Sequence, residues 1–155
     1  SVVACDSAAA AVETARHNFR LNALDPAAHA FLVRDCFELL EELTARGRRF
    51  DVVILDPPSL ARDRKRRQAA ERAYVRLNRL ALACVEPGGL LASASCTSQV
   101  SPAAFRQALA EAARRAGRRL LILHEAGQPV DHPVAAHFPE GRYLKFVIGR
   151  VLPVL

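Results

Sequence analysis

An α/β fold, with an open and mostly parallel sheet finished by an antiparallel strand pair, is predicted by three features of the chain. Short apolar runs alternate with helical stretches as far as Ala116, which suits an open sheet better than a barrel. Residues 50–55 are almost unbrokenly apolar, as in a parallel strand covered on both faces. Residues 120–125 and 143–151 read as strands with no helical pattern between them.

The elements follow in order. Residues 2–5 form an apolar run closed by Asp6-Ser7, and residues 8–21 have the alanine content and spacing of a helix. The pattern repeats: residues 30–33 close on Asp35, and Phe37, Leu39, Leu40 and Leu43 form the apolar side of a second helix ending near Gly47. After the strand at 50–55, Pro57-Pro58 must leave the sheet, because two successive residues lack amide donors. Residues 68–85 read as a long helix stopped by Glu86-Pro87-Gly88-Gly89, whose glycines suit a tight turn. Residues 90–95 form the next strand, and Pro102 opens a helix to about Ala116 with Ser101 as its cap. Residues 127–141, with Pro129, Pro133 and Pro139, read as a long irregular loop.

At 155 residues, 51% hydrophobic and 25% charged, the chain fits one globular domain. No apolar stretch approaches the roughly 18 residues that span a bilayer. No leader precedes the first strand, so a cytoplasmic protein without a membrane partner is expected. Cys5, Cys36, Cys84 and Cys96 lack metal-ligand spacing and read as free thiols, with Cys36 and Cys84 structural. His17, His29, His124 and His137 form no recognisable metal set, so no metal is expected. The absence of a Walker pattern and of a dinucleotide glycine fingerprint argues against nucleoside triphosphate and nicotinamide chemistry.

Ligands of open α/β sheets bind beyond the carboxyl ends of the strands, where Asp6, Asp35, Asp56 and Cys96 all fall. Asp6 suits a ribose diol and Asp35 an adenine amino group; taken singly, each is equally a turn or cap residue, and together they favour a nucleoside-containing cofactor. Pro57 and Pro58 fix the backbone so that the Asp56 carboxylate and nearby carbonyls can face a planar base, against the alternative of a rigid, capped turn. Cys96 lies between Ser95 and Thr97. As a thiolate it can add to carbon 6 of a pyrimidine and make carbon 5 nucleophilic; otherwise it is a small buried residue.

The net charge is +6, and Arg62, Arg64, Lys65, Arg66 and Arg67 set five positive charges against Asp63 alone. Such a run is either a solvated helix start or a phosphate-facing patch, and its closeness to Asp56-Pro57-Pro58 favours the patch. Tyr74 is either a contact near that loop or a packing residue. His132 is either a loop residue beside the substrate or part of a turn held by Asp131.

Val3-Ala4-Cys5-Asp6-Ser7 with Arg16-His17-Asn18, then Asp35, Asp56-Pro57-Pro58-Ser59, Tyr74 and Leu77-Asn78 form a connected set of motifs. Pro87-Gly88-Gly89-Leu90, Ser95-Cys96, Asp131-His132-Pro133 and Phe138-Pro139-Glu140-Gly141-Arg142-Tyr143-Leu144-Lys145 continue it. Through these the chain resembles class I S-adenosylmethionine-dependent methyltransferases, and more narrowly the bacterial family that makes 5-methylcytosine in 23S ribosomal RNA. The resemblance implies a Rossmann-like sheet, S-adenosylmethionine held by Asp6 at the ribose and Asp35 at the adenine, and Asp56 and Pro57 also on the cofactor side. It further implies that Cys96 is the covalent nucleophile and that Asp56 orients the cytosine. Pro58, the run from Arg62 to Arg67, Tyr74 and His132 then lie on the ribosomal RNA side, and the activity belongs to rRNA processing.

Two departures from the family stand out. Pro58-Ser59 occupies the place where some related cytosine-5 methyltransferases carry a second cysteine. Family members also open the catalytic domain with a central strand and a glycine-rich loop, and this chain starts after both, as the C-terminal major part (1–155) of that domain. A gap in the middle of the sheet is therefore expected, with unpaired backbone and exposed apolar surface, unless a second copy or an N-terminal segment fills it. Two competing functions remain open: methylation of an amino group in RNA or DNA, and a nonenzymatic RNA-binding fragment dependent on the arginine run.

Overall fold

The strands divide into two sheets, and the division falls at the expected gap. The computed structural model describes residues 1–61 and 63–154. Its elements are β1 (Val3–Asp6), α1 (Ala9–Leu21), β2 (Ala30–Val33), α2 (Cys36–Ala45), β3 (Phe50–Leu55), α3 (Arg67–Ala83), β4 (Val85–Ser95), α4 (Pro102–Arg115), β5 (Arg118–Ala126) and β6 (Lys145–Pro153). β1 and β2 pair in parallel, with Asp6 opposite Val33. The second sheet has the order β3-β4-β6-β5, in which β3 and β4 are parallel and β6 runs antiparallel to both β4 and β5. The C-terminal antiparallel pair is therefore present, with β6 inserted between β4 and the edge strand β5.

Between β1 and β3 lies a slot of about 470 Å³, lined by Val2, Val3 and Cys5, by Val52, Val53 and Ile54, and by Leu39 and Leu43 of α2. Full coverage of β3 is not observed: Val52 is 50% and Ile54 71% exposed. The cause lies in the helix above it, because α1 packs on β1 and β2 and leaves that face of β3 open. The opposite face is covered by α3 and α4, which pack on each other. There Leu77, Leu80, Leu82, Val85, Leu91 and Val151 form one buried cluster, and Tyr74, Phe105, Leu109 and Val147 form a second. The Tyr74 and Phe105 rings meet edge to face with centroids 5.4 Å apart, a favourable quadrupole geometry.

Local signals explain the helix starts. The Asp35 Oδ1 accepts from the Phe37 and Glu38 amides at 2.8 and 3.1 Å, capping α2, and the Ser101 Oγ accepts from the Ala104 amide at 3.1 Å, capping α4. One boundary is corrected: α3 ends at Ala83, and Val85 already belongs to β4. Phe50 pairs with Val85 and Val52 with Leu90, so Glu86 to Gly89 bulge out opposite Asp51 instead of closing a turn before the strand. Gly88 takes φ +90°, and a Cβ on Gly89 would lie 2.6 Å from the Asp51 carbonyl oxygen, which explains both glycines.

The loop after β3 is tied to the end of β4 by Thr97. Its Oγ1 accepts from the Leu60 amide at 3.0 Å, lies 2.8 Å from the Tyr74 hydroxyl and 3.4 Å from the Ser59 Oγ. The Thr97 carbonyl accepts from the Lys145 Nζ at 2.7 Å, which adds β6 to the same junction.

Two expected outcomes follow from this architecture. Amides of β1 and β2 should exchange with deuterium faster than those of β4 and β6, because β1 has one unpaired edge and little buried core beneath it; equal protection, read by mass spectrometry, would contradict this. Thr97→Val should lower unfolding free energy by about 1–3 kcal/mol in urea titration and speed proteolysis of the 56–66 segment, since it strips partners from a buried phenol and a backbone amide.

Candidate active site

Four successive strands carry their carboxyl ends to one side of the molecule. Asp6 ends β1, Asp35 follows β2 by two residues, Asp56 directly follows β3 and Cys96 directly follows β4. All four line a single open cleft of about 660 Å³, together with Pro57 and Pro58. That volume lies in the range of small-molecule sites. The cleft spans the division between the sheets, with Asp6 and Asp35 on one bank and Asp56 and Cys96 on the other.

The turn and cap roles of Asp6 and Asp35 are observed, and they leave part of each carboxylate open. The Asp6 Oδ1 accepts from the Ala8 amide at 2.7 Å, an Asx turn, while the Asp35 Oδ1 caps α2. Among the described residues these bonds use only Oδ1 of each acid, so Oδ2 remains to accept from a hydroxyl or an amino group. Two acceptors at the ends of neighbouring parallel strands match the donors of a ribose and an adenine, and the residues present therefore fit a nucleoside-containing cofactor.

Opposite them, the Cys96 thiol is partly buried and lies 3.8 Å from the Pro57 carbonyl oxygen. Asp56 is exposed to the cleft. A sulfur and a carboxylate thus face one cavity, separated by a proline-stiffened loop that Thr97 holds in place. Such an arrangement can grip the edge of a planar base and present a nucleophile to its ring.

Several lining residues were not assigned to the site from sequence. Cys5, Cys36, Phe37, Leu60 and Leu77 are among the remaining wall residues. Burial pushes the Cys5 and Cys36 thiols up from their ordinary value, so both are neutral wall residues. Their signal was position: each adjoins a strand-end acid, in Cys5-Asp6 and Asp35-Cys36. Phe37 is backed by the Arg76 guanidinium 4.8 Å from its ring centroid. Lys145 was not singled out from sequence either; its signal was a cation at the first, inward-facing position of an apolar strand.

Other sequence candidates stand apart from the cleft. Tyr74 is 0% exposed and spends its hydroxyl on Thr97, so the substrate-contact reading is corrected to packing and positioning. Burial pushes its phenol up. His132 is exposed in the loop before β6, its Nδ1 3.2 Å from the Asp131 carboxylate, which the histidine's hydrogen bond holds below its usual value. The turn itself is closed by the His132 amide on the Pro129 carbonyl at 3.0 Å, and His132 is absent from the cleft lining. Arg62 and the side chain of Arg64 lie outside the described residues. Lys65, Arg66 and Arg67 are exposed at the start of α3, beyond the lining of the cleft, and Arg67 stands 3.6 Å from Glu71. Among the described residues no helix is long and apolar enough to cross a membrane, and no group of three His, Cys, Asp or Glu side chains could hold a metal ion.

Comparison with known proteins places the chain among methyltransferases. The chain is 38% identical over 151 residues to the ribosomal RNA large subunit methyltransferase I of Tolumonas auensis and, equally, to that of Serratia proteamaculans. The Aeromonas salmonicida protein of the same name is 39% identical over 149 residues. These alignments cover 96–97% of the chain but only 38% of each relative, so the chain spans well under half the length of the proteins it matches. Among solved structures, a SAM-dependent methyltransferase from Streptococcus mutans superposes with a TM-score of 0.76 at 20% identity, covering 94% of this chain and 37% of that one. A methyltransferase homolog from Pyrococcus horikoshii gives 0.65 at 19% identity, covering 98% and 53%. Both share the Rossmann-like α/β fold with its mixed sheet. Residues 1–138 match the family model for S-adenosylmethionine-dependent methyltransferases, and the chain belongs to that family.

Proposed function

We propose that this chain is the C-terminal major part of a catalytic domain that methylates carbon 5 of cytosine in large-subunit, 23S ribosomal RNA through a covalent Cys96 adduct. The observation that supports this most is the shared cleft: Cys96 and Asp56 face Asp6 and Asp35 across one cavity, with the Cys96 thiol 3.8 Å from the Pro57 carbonyl. The relatives' names supply the class of RNA.

In this reading Asp6 and Asp35 hold the ribose and adenine of S-adenosylmethionine through their second carboxylate oxygens, with Asp56 and Pro57 on the same side. When bound, that cofactor supplies an electrophilic methyl group. Cys96, as thiolate, adds to carbon 6 of the cytosine, and the ring's electron pair shifts toward carbon 5. Asp56 accepts from the cytosine amino group and, in its protonated form, donates to the ring nitrogen, holding the base and favouring that shift. Once carbon 5 carries the methyl group, passage of its remaining proton to water in the open cleft and departure of the Cys96 thiolate restore aromaticity. Pro58 shapes the base pocket, and Lys65, Arg66 and Arg67, with Arg62 and Arg64, contribute phosphate affinity that falls with salt but little base specificity.

The test is nucleoside analysis of methylated large-subunit RNA. Cys96→Ser should lower turnover by at least about 10³-fold, as loss of a covalent nucleophile does, and the wild-type product should be 5-methylcytosine by mass spectrometry. A product methylated on an exocyclic amino group, with turnover retained in Cys96→Ser, would favour the amino-group reading and overturn this one.

A further inference from the structure

Lys145 is a cation placed where the apolar pattern of β6 calls for a hydrophobic residue. It opens the strand opposite Ser95, the residue before Cys96, and is only 5% exposed. Its Nζ donates to the Thr97 carbonyl at 2.7 Å and to the Tyr143 carbonyl at 2.8 Å. Two carbonyls orient an ammonium without neutralising it. None of the ion pairs among the described residues includes Lys145. Burial of this kind penalises the charged form and pulls Lys145 down to about 8, and the opposing influence on it is the charge of Cys96.

We propose that Lys145 is a positioning residue for Cys96: its buried ammonium, anchored on the carbonyls of Thr97 and Tyr143, supplies the positive charge that stabilises the Cys96 thiolate and fixes the strand end that carries it. The proposal rests on the reading of Cys96 as the attacking group. The other charged and titratable groups around the pair do not fill this role. On the cleft side, Asp56, Asp6 and Asp35 are acids and offer a thiolate no cation, while Cys5 and Cys36 are neutral thiols. Tyr74, behind Cys96 on α3, is a neutral phenol bound to Thr97. On the far side of Lys145, Arg106 of α4 and Glu125 of β5 line a second small cavity with it and pair with each other, so Glu125 is already matched to a cation. Among the described residues Lys145 is thus the buried cation bound to the strand end that carries Cys96, and the thiol's proton leaves to water through the open cleft.

The arrangement also explains why a lysine is kept in so apolar a strand. An ammonium held by two carbonyls on different segments links the residue after Cys96 to the start of β6, and mutual stabilisation with a thiolate reduces the cost of burying it.

The experiment follows alkylation of Cys96 by iodoacetamide across pH, using peptide mass mapping to separate it from Cys5, Cys36 and Cys84. Relative to wild type, Lys145→Met should move the Cys96 midpoint upward by about one pH unit, an about tenfold slower alkylation near neutrality, and Lys145→Arg should restore most of it. Superimposable profiles for folded wild type and Lys145→Met would overturn the proposal. Should Lys145→Met fail to fold, the reciprocal measurement decides: the Lys145 Cε resonance is titrated by NMR in wild type and in Cys96→Ser. Its midpoint should fall when the thiol is lost, and an unchanged midpoint would overturn the proposal. Neither readout needs RNA or cofactor, so failure here is distinct from failure of Cys96 as nucleophile, which the methylated nucleoside reports.

Discussion

The hydrogen bonds converging on Thr97 are the constraint on which the geometry of the cleft depends. Parallel pairing of β3 and β4 brings Leu55 opposite Ser93 and sends both chains out of the sheet on the same side. Pairing alone would leave two independent loops. The Thr97 hydroxyl gathers Ser59 and Leu60 from one loop and Tyr74 from α3, while its carbonyl takes the Lys145 ammonium from β6. Removing one donor or acceptor from such a buried junction leaves its partners unsatisfied, which is why a polar cluster here specifies a single arrangement more sharply than apolar packing would.

The division of the sheet gives the cleft its second property. The acids that suit a nucleoside stand on β1 and β2, and the pair that suits a base stands on β3 and β4, so the cavity is bounded by two units with separate hydrogen-bond ladders. Exposed apolar surface lies along the same boundary, at Val52 and Ile54 and in the neighbouring slot walled by Val2, Val3 and Leu43. Burial on the other face of the larger sheet is extensive, with Leu77, Leu82, Val85, Leu91 and Val151 almost inaccessible to solvent. That larger unit therefore anchors Asp56, Cys96 and Lys145, whereas Asp6 and Asp35 are held mainly by local turns and caps.

Charge is arranged with the same asymmetry. The exposed cations at Lys65, Arg66 and Arg67 meet water, where their interaction with a polyanion is long-ranged and screened by salt. Lys145 is enclosed, and a single charge there acts over a few ångströms with far less screening. Chemically similar side chains thus stand in opposite environments, one group screened by water and the other enclosed.

Local order was legible from sequence because its causes are local. The strands at 30–33 and 50–55, the cap at Ser101 and the acids at the strand ends all follow from patterns within a few residues, and each is found where the pattern puts it. Where reading failed, the deciding partner was distant along the chain. Gly89 belongs to a bulge because of the Asp51 carbonyl, and Tyr74 is sealed from substrate because Thr97 and Phe105 lie against it. Ile54 is exposed because α1 packs elsewhere, and Lys145 is enclosed because its strand pairs with Ser95 and its ammonium reaches the Thr97 carbonyl. Sequence by itself determined which residues could do chemistry and at which strand ends they stand. Tertiary structure decided which of them share a cavity and which are enclosed, since burial and electrostatic coupling depend on contacts that no local pattern encodes.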